Sequence, residues 1–252
     1  MVDGTVRNLF IDTRIKRKIV NLKDHVVVCG YGRNGRQTVS ELQDHDVPIV
    51  VVENNEQVVE NIRVNSKLLY IHGDATQDDT LHNCHLETAR ALITTLPVDA
   101  HNLFVVLTAK EINPSLSIIS RASDEHSDVK LKRAGATNVI MPDKIGGQRM
   151  AKMVVQPDIV EFLEFIMVQS MENVALEEIY CQDAAPCFSN IAMRELDRYN
   201  DSGATIIGMK RADSSIVINP LPELILTPYD KLFALGTKNQ IQRLRKLLLE
   251  GV

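Results

Sequence analysis

The chain of 252 residues contains no tryptophan, and aromatic residues make up only 4% of it, so its core must be built from aliphatic side chains. Its four cysteines, Cys29, Cys84, Cys181 and Cys187, form no Cys-x-x-Cys pair. That removes the common zinc and dithiol motifs, offers no disulfide framework, and fits a reducing compartment. No apolar run approaches the roughly 18 to 20 residues needed to span a bilayer, and the N-terminus lacks the apolar core of a signal peptide. An excess of positive charge is missing as well. Twenty-eight Lys and Arg against 33 Asp and Glu give a net charge of -5, which disfavours general nucleic-acid binding.

What is present fits a soluble globular chain: 44% hydrophobic and 24% charged residues, enough for one large domain or two modest ones. One basic cluster, Arg14, Lys16, Arg17 and Lys18, precedes the first strand-like run. It reads either as a solvated linker or helix face, or as a juxtamembrane segment.

From residue 25 to 141 one rhythm repeats: a short apolar run, a turn, a helical pattern. The strand candidates are 25–29, 48–53, 68–72, 91–95, 117–121 and 138–141, several dominated by Val and Ile. Runs without polar alternation suit strands buried on both faces of a parallel sheet. Helical patterns fill the gaps between them, for example at 35–43, 55–65 and 100–112. Strands alternating with helices imply right-handed βαβ units and an α/β, Rossmann-like doubly wound sheet. Residues 146–170 read as helix, with Pro157 predicting a break near Gln156. The apolar stretch 159–168 is either core or a subunit interface. Residues 174–252 predict a small α+β lobe, with strands at 174–181, 205–210, 215–218 and 231–235 and helices at 191–199 and 239–249. The expected organisation is therefore a basic linker (1–22), an α/β lobe (23–141), two helices about a break (142–173) and a small C-terminal lobe (174–252).

The strongest chemical signal is Gly30-Tyr31-Gly32-Arg33-Asn34-Gly35, a Gly-x-Gly-x-x-Gly pattern between a strand and a helix. Gly30 allows a tight turn, Gly32 lets backbone approach a pyrophosphate, and Gly35 permits close helix packing. The following helix N-terminus offers free N–H groups to phosphate oxygens. Glu53 ends the second strand, where an acid accepts hydrogen bonds from an adenosine ribose and repels a 2′-phosphate. The alternative role for Glu53 is to cap a strand end. Arg36-Gln37 stands where a P-loop requires Lys-Ser/Thr, which argues against phosphoryl transfer of that kind.

Several stretches together resemble the RCK family, the regulators of potassium conductance. They are 25–35, His72-Gly73-Asp74-Ala75-Thr76, 118–125, Lys132-Arg133-Ala134-Gly135-Ala136 and Met141-Pro142-Asp143-Lys144-Ile145-Gly146-Gly147. Residues 174–252 resemble the family's C-terminal lobe, with Tyr229 where that lobe often has glycine. The resemblance covers almost the whole chain and looks most like the domains behind the pores of prokaryotic potassium channels. It implies a homodimer, an octameric ring beneath a membrane pore at the cytoplasmic face, and gating by a bound ligand. The segment before Leu22 then looks like the linker to the pore. Gly30, Tyr31, Gly32, Arg33, Asn34 and Gly35 would hold phosphates, and Glu53 the ribose. Asp74 and Ala75 would lie beside the adenine, Thr94, Thr95 and Leu96 at the mouth of the fourth strand. Arg121 would pair with phosphate oxygens, or else form a salt bridge at the sheet edge. The ligand implied is NAD(H), with ADP, ATP or AMP as alternatives. Calcium is left open: where some calcium-gated relatives place carboxylates, this chain has Thr95, Arg121 and Ser123.

His82, Cys84 and His85 cluster in sequence, but no second Cys/His pair completes a zinc tetrad, so a solvated helix face is the preferred reading. The rival functions are a free-standing regulator of a potassium transporter and an NAD-dependent oxidoreductase. Against the enzyme, residues 174–252 hold no histidine and no Tyr-x-x-x-Lys motif occurs, so no proton donor for a hydride transfer is evident. The chain is therefore expected not to be an enzyme.

Overall fold

The valine and isoleucine runs become the strands. In the computed structural model, which describes residues 2–65, 67–167 and 174–251, the chain begins with α1 (Val2–Val20) and then β1 (Val26–Cys29). There follow α2 (Arg33–Asp44), β2 (Ile49–Glu53), α3 (Glu56–Asn65), β3 (Leu69–His72) and α4 (Asp78–His82). Next come β4 (Ala91–Thr94), α5 (Asp99–Ile112), β5 (Ser117–Arg121), α6 (Glu125–Arg133), β6 (Asn138–Ile140) and α7 (Pro142–Val155). The six strands are parallel in the order β3-β2-β1-β4-β5-β6, so the direction of winding reverses between β1 and β4. This is the Rossmann-like, doubly wound sheet expected from the repeat.

Alternate side chains of β1 serve opposite faces, as a strand's twofold period requires. Val27 and Cys29 join one core with Val50, Leu92, Ile118, Val105 and Leu131; Val26 and Val28 join another with Val39, Val51 and Val59. Because all four β1 residues are buried, the run carries no polar alternation. Burial raises the thiol pKa of Cys29 and pushes that of Cys84 to about 12, so both behave as small apolar groups.

The sequence reading assigned residues 1–22 to a linker. In the structure Val2–Val20 of this segment form a helix that packs on the lobe through buried Ile19 and half-buried Ile15. A polar clasp adds to this contact. The Arg63 side chain, only 4% exposed, donates from Nη2 to both Asp12 carboxylate oxygens at 3.2 Å. Arg63 also donates from Nε to the Tyr70 hydroxyl at 2.9 Å and from Nη1 to Glu60. Tyr70 in turn donates to Asp12 at 2.6 Å. Burial, reinforced by that bond to Asp12, raises Tyr70 to about 12 and keeps its proton in place. Two short helices, α4 and α6, also fill gaps between strands, and α6 is capped by Asp124, whose carboxylate accepts from Ser127 N–H at 2.9 Å.

The chain divides into two compact units, Met1–Arg149 and Met150–Val252. Helix α7 runs to Val155, and α8 (Pro157–Met167) starts on the proline, so the break falls at Gln156 as Pro157 predicts. Residues 168–170 of the predicted helix lie outside the described residues. The second unit continues with β7 (Ala175–Tyr180), α9 (Met193–Tyr199), β8 (Thr205–Lys210), β9 (Ile216–Ile218), β10 (Lys231–Gly236) and α10 (Lys238–Glu250). Its strands form an antiparallel sheet in the order β7-β10-β8-β9 around an aliphatic core that includes Met209, Leu226, Leu232 and Leu244. Thr237 and Gln240 form a reciprocal capping box at the start of α10. The turn before β10 closes without a glycine. Asp230 N–H donates to Thr227 O at 3.1 Å, the Asp230 carboxylate accepts from Thr227 N–H at 2.7 Å, and Tyr229 projects outward.

Candidate functional site

The carboxyl ends of β1 and β4, flanking the reversal of winding, open onto a cavity of 810 Å³. Parallel sheets leave a crevice at this point because successive crossovers depart to opposite faces. Gly30 leaves β1 at φ +91°, a conformation that glycine adopts without strain. Its N–H donates to Val52 O at 2.8 Å, and its carbonyl accepts from Thr95 Oγ1 at 3.1 Å. Gly32 stands at the N-cap of α2 with nothing within 4 Å of where a β-carbon would be. Gly35 is the opposite case: a β-carbon there would stand 2.0 Å from the Gly30 carbonyl oxygen. The N–H groups of the first turn of α2 have no partner within the helix, and that turn holds no acidic residue. The loop is thus an open, electropositive cradle of a size and chemistry that fit phosphate oxygens.

Glu53 reaches across from β2. One carboxylate oxygen accepts from Tyr31 N–H at 2.7 Å and the other from Asn55 N–H at 2.8 Å. A carboxylate has about four acceptor positions, so both oxygens keep capacity for a ligand hydroxyl. Arg121 ends β5. Its Nη1 donates to Leu96 O at 3.2 Å, its Nη2 lies 3.7 Å from the Asp143 carboxylate, and its buried Nε has no hydrogen-bond partner. A partly buried guanidinium whose ion-pair partner lies at 3.7 Å suits an additional anionic partner.

Of the residues expected at the site, Gly30, Tyr31, Gly32, Arg33, Asn34, Glu53, Asp74, Ala75, Thr95, Leu96 and Arg121 line this one cavity. Gly35 and Thr94 do not. Gly35 is buried behind the loop, where it permits the approach of α2 to Gly30. Thr94 points inward and donates to Asn102 Oδ1 at 2.6 Å. Asp74 is engaged locally, accepting from Thr76 N–H and Oγ1 at 2.9 and 2.8 Å.

The sequence reading missed several participants. Asn55, Val98, His101 and Asp143 also line the cavity. Asn102, fully buried, organises its wall: Nδ2 donates to Leu96 O at 3.0 Å and Arg121 O at 3.1 Å, while Oδ1 accepts from Leu96 N–H at 3.1 Å. A single asparagine in a helical pattern carries no sequence signal for this role. Asp143 lay within a stretch already singled out by resemblance, yet its pairing with Arg121 needed the fold. Among the described residues no three His, Cys, Asp or Glu side chains gather as a metal site.

Known proteins match this arrangement along most of its length. The TrkA-N domain matches residues 26–142 and the TrkA-C domain residues 185–249. Probable potassium channel protein 2 of Methanocaldococcus jannaschii is 36% identical over 98% of this chain and 74% of its own length. Potassium channel protein 1 of the same organism is 31% identical over 100% of this chain and 74% of its own length. Among solved structures, the TrkA-N domain of the Escherichia coli inner membrane protein ybaL is 28% identical, with a TM-score of 0.50 over 53% of this chain and 98% of that one. The human SLO3 gating ring, at 18% identity, shares the fold with a TM-score of 0.65 over 88% of this chain and 46% of that one. With a TrkA-N domain followed by a TrkA-C domain, and channel relatives aligned along its length, the chain belongs to the RCK family of potassium-channel regulatory domains.

Proposed function

We propose that this chain is the cytoplasmic ligand-sensing domain of a potassium channel and that its ligand is an adenine nucleotide, NAD(H) before ADP, ATP or AMP. The observation that carries this reading is the convergence of the glycine loop, Glu53 and Arg121 on one 810 Å³ cavity. That volume lies in the usual range for small-molecule sites. The α2 cradle takes the pyrophosphate, Glu53 takes the adenosine ribose, and Arg121 turns from Asp143 towards a phosphate oxygen. A carboxylate at the ribose favours an unphosphorylated 2′-hydroxyl. The role is sensing rather than catalysis, with the nucleotide acting by its differential affinity for two conformations of the assembly.

Calorimetric titration with NAD⁺, NADH, ADP, ATP and AMP, with and without calcium, tests this directly. Saturable binding of one nucleotide is expected, weakened about tenfold by Glu53→Ala, the worth of one good hydrogen bond to a charged group. If no nucleotide binds, the loop is architectural only and the sensor reading fails.

The proposed assembly is a homodimer that closes further into an octameric ring. In the second unit, Met150, Met153, Val154 and Val155 of α7 and Ile159, Phe162 and Leu163 of α8 are all exposed. An apolar surface of this extent marks an interaction site. In the first unit a separate set, Phe104, Leu107 and Ile140, is exposed as well, and a ring built from dimers needs two such faces. Phe162→Glu is expected to convert the dimer to monomer in sedimentation velocity at micromolar concentration. A wild-type chain already monomeric there would remove the dimer from the proposal.

A further inference from the structure

A groove runs along the seam between α1 and the sheet edge. The Asp12–Arg63–Tyr70 clasp holds α1 against α3 and β3, and beside it lies this groove, of 360 Å³. The floor is apolar, formed by Ile11, Ile62 and Leu68. The rim is cationic, formed by Arg14, Lys18 and Lys67, all exposed. The nearby acids are committed elsewhere: Asp12, Glu56 and Glu60 all pair with Arg63. Among the described residues no ion pair joins Arg14, Lys18 or Lys67 to a carboxylate. Arg14 and Lys18 stand four residues apart on one helix face, where like charges repel. Counted together, Arg14, Lys18, Lys67 and Arg63 outnumber Asp12, Glu56 and Glu60 by one, so the groove carries a small excess of positive charge, concentrated on its exposed rim above an apolar base, although the whole chain is acidic at -5.

We propose that this groove binds the headgroup and upper acyl region of an anionic phospholipid at the membrane surface. A free inorganic anion would satisfy the rim but gain nothing from Ile11 and Leu68; an amphiphile uses both. The proposal rests on the reading that α1 leads to a membrane pore, and it deepens that reading by giving the basic segment a ligand. Lipid contact would fix α1 relative to the bilayer while the clasp fixes it relative to the nucleotide lobe. Glu53 and Asn55 of the nucleotide cavity immediately precede α3, and Arg63 near the end of α3 holds α1. The two sites are thus joined by one ten-residue helix.

The test is co-sedimentation of the full chain with phosphatidylcholine vesicles made with and without phosphatidylglycerol, at about 0.1 M salt, where exposed charges are screened beyond roughly 10 Å. Binding is expected only with phosphatidylglycerol. Each cation near an anionic surface contributes about a fivefold effect, so Arg14→Gln with Lys18→Gln should lower the partition roughly 25-fold. Ile11→Ser leaves the charge intact and should lower it severalfold through the floor. A charge-matched control on α10, Arg243→Gln with Lys246→Gln, should leave it unchanged. Equal binding to both vesicle types, equal loss in the α10 control, or an unaffected Ile11→Ser variant would each overturn the site. Circular dichroism checks the fold of each variant. Nucleotide titration of the same samples separates the two hypotheses: vesicle binding without nucleotide binding removes the sensor, and the reverse removes the lipid site.

Discussion

Gly35→Ala is expected to destabilise the first unit by roughly 3 kcal/mol and lower its melting temperature by roughly 10 °C, whereas Gly32→Asp is expected to leave stability within about 0.5 kcal/mol and to weaken nucleotide binding more than about 100-fold. The two glycines lie three residues apart in one motif, yet they meet opposite surroundings. A β-carbon at Gly35 would stand 2.0 Å from the Gly30 carbonyl oxygen. That atom belongs to backbone, and Gly30 is held at φ +91° with its oxygen accepting from Thr95. Neither partner can yield by rotating a side chain, so α2 or the turn must move. At Gly32 a β-carbon meets nothing within 4 Å, and its φ of -75° suits any residue. Aspartate is among the best N-cap residues. Its carboxylate would take the free N–H groups of α2 and place a negative charge where the phosphates are proposed to sit. Thermal melting and calorimetry of the two variants separate an architectural glycine from a ligand-facing one. A Gly35→Ala variant melting like wild type would show that the loop is looser than drawn. A Gly32→Asp variant that still binds nucleotide would move the phosphates away from α2.

The parts of this site that were legible in the sequence are those in which chemistry and position are fixed over a few residues. The strand, turn and helix around Gly30 to Gly35 are local, and each glycine answers a local steric need. Glu53 was legible because it closes a strand adjacent to the loop's own strand, so pairing of β1 with β2 carries it to the site. Arg121 and Asp74 were placed by resemblance, and parallel registry brings both to the cavity: the carboxyl ends of β3, β2, β1, β4 and β5 all open at the same edge.

What escaped the sequence depends on contacts between distant segments. Asn102 looked like one polar residue in a helix, but burial makes it bridge Leu96 and Arg121. Thr94 and Thr95 were treated alike, although successive residues at the end of a strand face opposite ways. Thr94 turns inward to Asn102 and Thr95 turns to the loop. The apolar stretch after Pro157 could be core or interface by composition alone; exposure of Ile159, Phe162 and Leu163 decides what the isolated chain can bury. The basic N-terminal segment is the clearest case. Its charges suggested a solvated linker or helix face, or a juxtamembrane segment, while the residues that dock it, Ile15, Ile19 and Asp12, are spread at helical spacing among them.

That docking leads to a second large effect. Arg63→Ala is expected to destabilise the first unit by roughly 3 kcal/mol, because removing one member of a buried charged network leaves its partners unpaired. Burial works against the guanidinium charge, but the bonds with Tyr70, Glu60 and Asp12 outweigh it and raise its pKa. Without Arg63, the Asp12 carboxylate, 29% exposed, would keep only the Tyr70 hydroxyl, and Glu56 and Glu60 would lose their shared cation. A double-mutant cycle with Asp12→Ala tests whether the cost is the clasp itself. Once Asp12 is gone, Arg63→Ala should cost less by about 1 kcal/mol or more, the coupling of residues in one network. Hydrogen exchange adds a spatial readout: α1 amides should lose protection in Arg63→Ala while those of β1 and β4 keep theirs, since the clasp touches only the β3 edge of the sheet. Additive stabilities, with α1 as protected as in wild type, would mean that Ile15 and Ile19 hold the helix unaided. In that case α3 would have no polar hold on α1, and a nucleotide bound near Glu53 would need another route to whatever α1 moves.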